Sequence, residues 1–242
     1  ASSVTNMENM FEKTNSFGGN LSGWDTSNVT DMCCMFQYAD NFNSDLSGWD
    51  VSSVTNMSRM FNGATSFNGN LSSWDVSSVR TMERMFYNAE SFNGDLSGWD
   101  VSNATKMEYM FASSSFNGNI SGWNVSKVNN MGYMFWGAYS FNQDISDWDV
   151  SSVTDMSWMF NAADNFNQNL SGWDVSNVVY MNQMFFYAAG FNQDISIWDV
   201  SSVTDMRNMF EEANSFNQDI GDWDVSSVAN MTQMFWSADN FN

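Results

Sequence analysis

The sequence predicts an α/β solenoid of about ten coils of 25 residues, with short parallel strands on one face, short helices on the other and a Met/Phe/Trp core between. Three observations carry this. Tryptophan recurs at 24, 49, 74, 99, 123, 148, 173, 198 and 223, a step of 25 broken once by a step of 24. Met-x-x-Met-Phe recurs ten times, from Met7-Met10-Phe11 to Met231-Met234-Phe235. All 20 Met, and all of the 21 Phe except Phe186, sit at repeating positions. Self-similarity at a fixed period marks a chain whose units cannot bury their apolar faces alone and must stack to do so.

Residues 141–165 display the unit most clearly. Val153, Met156, Met159, Phe160 and Ala163 fall at i, i+3, i+6, i+7 and i+10, which predicts a short helix over 153–163. Ser151 or Ser152 is its candidate N-cap, and Asp155 lies in the first turn, where the helix dipole favours an anion. Trp148 and Val150 flank Asp149, which predicts a short strand with the carboxylate pointing outward. Asn- and Gly-rich turns join the pieces. The series Ile145-x-x-Trp148-x-Val150-x-x-Val153 has the spacing of the leucine-rich pattern L-x-x-L-x-L-x-x-N, with Val153 where Asn is usual. At about 4.8 Å per stacked strand, ten coils give a rod of about 45–50 Å. An all-β solenoid is the runner-up, and the Val/Met/Phe spacing argues against it. The single 24-residue step traces to the segment between Phe111 and Phe116, one residue shorter than that between Phe86 and Phe92, which marks a loop.

Composition narrows the function. Residues 1–242 read as one repeat-array domain that opens in register at Ala1-Ser2-Ser3-Val4 and ends mid-repeat, as a slice of a longer array would. Histidine is absent, which removes the commonest general base and transition-metal ligand. A net charge of -21 repels phosphate backbones and anionic membranes, so nucleic acid is not an expected partner. Cys33 and Cys34 are neighbours and read as free thiols, because a bond between them closes a strained eight-membered ring. No apolar run approaches the ~18 residues a membrane span needs, and no signal peptide is evident.

The phrases from Phe191 to Met206, with Asn192-Gln193-Asp194-Ile195 and Trp198-Asp199-Val200-Ser201-Ser202-Val203, followed by Met206-x-x-Met209-Phe210, resemble the 25–26-residue repeat of bacterial surface proteins known as DUF285, related to BspA-type leucine-rich repeats. The resemblance covers essentially the whole chain. It implies an extracellular location at a cell or virion surface and a role in adhesion, with no catalytic residue to carry over. The first unit departs from the pattern, with Gly18 for Asn and Thr26 for Val.

Three constellations are candidate sites. Asp follows the repeat Trp at 25, 50, 75, 100, 149, 174, 199 and 224, with Asn124 the exception. Carboxylates stacked ~5 Å apart repel by about 0.8 kcal/mol per pair in water. Asx-turns onto the Ser two residues on, as in Asp149-Val150-Ser151, could offset this. So could an oxygen-seeking cation such as Ca²⁺ at Asp149, Asp174, Asp199 and Asp224. The nine repeat tryptophans form either a sugar-stacking platform or, as the alternation with Val150 favours, part of the core. The third constellation lies on the outer face of the expected helices, where one column holds Tyr109, Tyr133 and Trp158 and another holds Tyr87, Trp136, Phe186 and Trp236. A stripe of rings over adjacent coils suggests a contact surface, expected to be exposed in the isolated chain and covered by a partner. The Thr column (Thr55, Arg80, Thr105, Asn129, Thr154, Val179) is too broken to match ice.

The resulting expectation is a non-catalytic structural, adhesion or assembly module that binds a protein or its own copies through its repeat faces. A carbohydrate- or Ca²⁺-binding module is the alternative. No cofactor is expected unless the Asp column takes Ca²⁺. General acid/base chemistry needs carboxylates in unlike environments, and this column offers equivalent ones.

Overall fold

The computed structural model describes residues 3–242, so the register expected for Ala1 and Ser2 lies outside the described residues. Among the described residues the chain contains no helix and no extended strand, and each repeat is a run of tight turns. The α/β assignment is therefore wrong, and so is the leucine-rich layout of strands on one face and helices on the other.

The segment 153–163 explains why. Trp158 and Ala162 have φ of 61° and 53°, in the left-handed region that interrupts any right-handed helix. The main-chain N–H groups divide into two alternating sets. Those of Met156, Trp158, Phe160 and Ala162 donate to the carbonyls of Tyr180, Asn182, Met184 and Phe186 on the next coil, at 2.7–3.0 Å. Those of Met159, Asn161 and Ala163 donate back three residues, to Met156, Trp158 and Phe160. No N–H is left for an i to i−4 ladder. The same pair of left-handed positions recurs in each coil, from Asn9 and Lys13 to Gln233 and Ser237.

Thickness decides between the two conformations. Phe135, Phe160 and Phe185 stack with centroids 5.7 Å apart from coil to coil. An α-helix with its side chains is roughly 10 Å wide and cannot repeat at that spacing, whereas a single hydrogen-bonded chain repeats at about 4.8 Å. Each left-handed non-glycine residue costs roughly 1–2 kcal/mol. The direct coil-to-coil hydrogen bonds and the burial they permit offset that cost.

The strand expected at 148–150 is also a turn, since the Trp148 N–H donates to Ile145 and the Val153 N–H to Val150. The side-chain alternation survives, with Trp148 and Val150 buried and Asp149 exposed. Parallel β pairing does exist, but as one residue per coil: a line of single bridges runs from Asn6 through Asp31, Asn56 and Thr81 to Asn230. In the unit 141–165 it falls on Asp155, inside the expected helix. The short step is absorbed in the turn before Phe116, where Ser114 takes the place of the repeat Ala and donates its hydroxyl to Phe111.

One continuous apolar core runs from Met7 to Met234. Met156 is completely buried, as are its equivalents in the inner coils. Two phenylalanine columns line the core, paired within each coil (Phe160 and Phe166, centroids 4.0 Å apart) and stacked between coils. Trp148 is inside, 3% exposed, and its one polar atom is satisfied: the indole Nε1–H donates to the carbonyl of Ile120 on the preceding coil at 3.1 Å. The same bond recurs from Trp49 to Trp223. Outside the second Phe column runs an asparagine ladder, in which Asn142 Oδ1 accepts the main-chain N–H of Asn167 at 3.0 Å and the Gln168 amide at 2.9 Å. Its equivalents run from Asn43 to Asn242.

Candidate functional site

The aspartate column is built from Asx-turns. Asp149 Oδ1 accepts the Ser151 main-chain N–H at 3.1 Å and the Ser151 hydroxyl at 2.6 Å. Asp174 and Asp199 repeat both bonds with Ser176 and Ser201, and Asp224 accepts the Ser226 N–H at 3.0 Å. The Ser hydroxyl, then the Ser N–H, hold the carboxyls of Asp50, Asp100, Asp149, Asp199 and Asp224 below the usual carboxylate range. A second column of Asx-turns, from Asn20 through Asp45, Asn70 and Asp95 to Asp219, accepts the main-chain N–H two residues on and closes the turn before each Trp. The ladder thus commits one oxygen of each carboxylate to its own turn. Among the described residues no three of His, Cys, Asp or Glu gather as a metal would require.

The aromatic columns come together more closely than their spacing suggests. Tyr109 and Tyr133 lie face to face with centroids 4.2 Å apart and planes 9° apart, and Trp158 continues the stack 5.2 Å from Tyr133. The guanidinium of Arg84 covers the other end, 4.4 Å from the Tyr109 centroid. All four residues occupy the same left-handed position of successive coils, with φ of 55–61°. Trp136 meets Tyr133 edge-on at 6.4 Å and stacks within 15° of parallel on Tyr87 at 6.4 Å, two coils away in the same column. Phe186 tilts against Trp158 at 6.4 Å.

Because the rings cover one another, Tyr109, Tyr133, Trp136, Trp158 and Phe186 are half-buried rather than exposed, and only Trp236, in the last coil, is freely exposed, at 54%. Burial, with the Tyr109 phenol next to it, pushes the Tyr133 hydroxyl up to about 12. What such a stack offers a partner is ring edges and hydroxyls, since the faces are used.

Beside the stack lies a feature that the residue columns alone do not reveal. Five of the seven Lys and Arg residues fall between Arg59 and Lys127. Arg59, Arg80 and Lys106 line one open groove with Ser58, Thr81 and Thr105. Glu83 partly neutralises it, bonded to Arg59 at 3.0 Å and lying 3.6 Å from Arg84. The signal was available as the clustering of cations in a chain otherwise dominated by Asp and Glu. Also unanticipated are the exposed Tyr139 and Ile197, which stand apart from the stack.

No helix among the described residues is long and apolar enough to cross a membrane. No protein of curated function matches the chain. A family described as Mycoplasma protein of unknown function, DUF285, matches residues 1–94, 69–172 and 143–242, which together span the whole sequence. The chain belongs to the DUF285 family and consists of its tandem repeats from end to end.

Proposed function

We propose that this chain is a non-catalytic binding and assembly module at a cell or virion surface, engaging a protein partner through the face that carries Tyr109, Tyr133, Trp136 and Trp158. The observation that carries this reading is the ordered stack of Arg84, Tyr109, Tyr133 and Trp158, continuous over four successive coils beside the groove that holds Arg59, Arg80 and Lys106. Tyr, Trp and Arg are the residue types that anchor interfaces, and a stack held in place by its neighbours loses little entropy on binding. Face-to-face packing of the rings leaves few free faces for a sugar to lie on, which favours a protein partner over a glycan. The groove of Arg59, Arg80 and Lys106 suits carboxylates on that partner. Equivalent, turn-committed carboxylates and the absence of His support a non-catalytic role.

The test replaces Tyr133 and Trp158 with Ser together, and separately makes Arg80→Glu, which leaves the stack intact. Sedimentation and binding to the native surface are compared with the parent, with melting curves as the folding control. Both variants should lose association. Parental behaviour of both would move the interaction elsewhere, with the outward Asp column next in line.

A further inference from the structure

The left-handed turn that defines each coil has a local consequence: it brings the side chains of adjacent residues together when the second of the pair is left-handed. Glu12 and Lys13 form an ion pair at 2.7 Å, Lys13 having φ of 58°. Glu83 and Arg84 approach to 3.6 Å, and Phe186 and Tyr187 meet with centroids 4.5 Å apart. Cys33 and Cys34 occupy the pair of positions that Glu83 and Arg84 hold two coils on. Cys34 has φ of 57°, both thiols are free, and their Sγ atoms are 3.1 Å apart.

We propose that Cys33 and Cys34 are a redox-modification site that a low-molecular-weight disulfide converts reversibly to a vicinal disulfide, and that closure loosens the contact between neighbouring coils. Cys33 is half-buried at the edge of the groove lined by Ser58 and Arg59, so it meets the reagent first, while Cys34 is buried behind it. The Cys33 thiolate attacks one sulfur of the small disulfide, forming a mixed disulfide and releasing one small thiol. Cys34 then gives up its proton to water and attacks Cys33 Sγ, expelling the second small thiol. Two protein thiols are oxidised and one small disulfide is reduced to two thiols. Burial first, and then the Cys34 thiol, push Cys33 up to about 12, so the reaction is slow at neutral pH and quickens as pH rises.

The coupling to the fold runs through a single peptide group. The Cys33 carbonyl accepts the Asn9 N–H from the preceding coil at 3.0 Å, and the Cys34 N–H donates to the Ser58 carbonyl of the following coil at 2.9 Å. That peptide becomes part of the eight-membered ring. Drawing the sulfurs from 3.1 Å to a bond of about 2.05 Å turns it, and both coil-to-coil bonds lengthen together.

The experiment treats the folded chain with oxidised glutathione at mildly alkaline pH and reads intact mass, alkylation and amide exchange. The parent should lose the mass of two hydrogens, become resistant to alkylation and carry no adduct, with dithiothreitol restoring it. Cys34→Ser should stop at the glutathione adduct, and Cys33→Ser should remain unmodified. Exchange at the Asn9 and Cys34 amides should quicken about tenfold on oxidation. A parent that keeps its glutathione adduct, forms linked dimers or stays reduced overturns the site. A ring that closes without faster exchange at those amides overturns the coupling.

Discussion

Ala162→Gly separates the turn architecture from a helix by the sign of its effect. In an exposed helix the substitution costs about 1 kcal/mol. Here Ala162 has φ of 53° and donates its N–H to Phe186 on the next coil at 2.7 Å, a bond that glycine retains. Removing Cβ relieves roughly 1–2 kcal/mol of left-handed strain. Against this stand about 0.4–1 kcal/mol for the freer unfolded chain and a few tenths for a half-buried methyl. The balance is a gain of about 0.5 kcal/mol. The equivalent positions in two other coils are already glycine, Gly63 and Gly137, with φ of 70° and 64°. Urea unfolding of the variant beside the parent measures the difference, with Ala162→Val, a β-branched residue at positive φ, as the destabilised control. A loss of about 1 kcal/mol in the glycine variant would refute the reasoning.

Met156→Ala should cost about 2–5 kcal/mol, because the side chain is wholly buried between stacked coils, and a thermal melt would reveal it. Trp148→Phe removes the hydrogen bond to Ile120 and part of a buried ring, for a loss of about 1–3 kcal/mol; the Ile120 oxygen keeps its bond from the Trp123 N–H, which limits the damage. Acid should destabilise the chain. The carboxyls of Asp50, Asp100, Asp149, Asp199 and Asp224 lie below their unfolded value of about 3.9, so their contribution is present above that pH and lost as pH falls through the lower folded values. Melts between about pH 5 and pH 2 should show the decline, and a melting temperature that rises below about pH 4 would contradict it. Chelation should shift the melting temperature little, since one oxygen of each column carboxylate is committed to Ser; a shift of tens of degrees would restore the Ca²⁺ reading.

The residues that form the core were readable in the sequence, because burial follows the repeat whatever the backbone does. Trp148, Val150, Val153, Met156, Met159, Phe160 and Ala163 are all buried, and Asp149 points out into its Asx-turn. The backbone was not readable from the same spacing. Apolar residues at i, i+3, i+6, i+7 and i+10 suit one face of a helix, and they suit equally a string of turns with a left-handed residue every fourth position. The composition cue for positive φ, Gly or Asn, is mostly missing there, where Arg84, Tyr109, Tyr133 and Trp158 stand instead. The Asn after the second Phe of each unit from Phe42 onward reads locally as turn chemistry, yet Asn142 bonds the next coil, a partner 25 residues away that local reasoning does not reach. For the aromatic face, the columns are legible and the exposure is not, because only the structure reveals that Tyr109, Tyr133 and Trp158 cover one another.

The central claim is that each coil gives alternate main-chain N–H groups to its neighbour instead of to itself. Through-hydrogen-bond NMR coupling on a deuterated, labelled chain tests it at Trp158. The account predicts a coupling from the Trp158 nitrogen to the carbonyl carbon of Asn182, across the 3.0 Å bond between coils. A coupling to the carbonyl carbon of Thr154, four residues back, would put a helix there and contradict it.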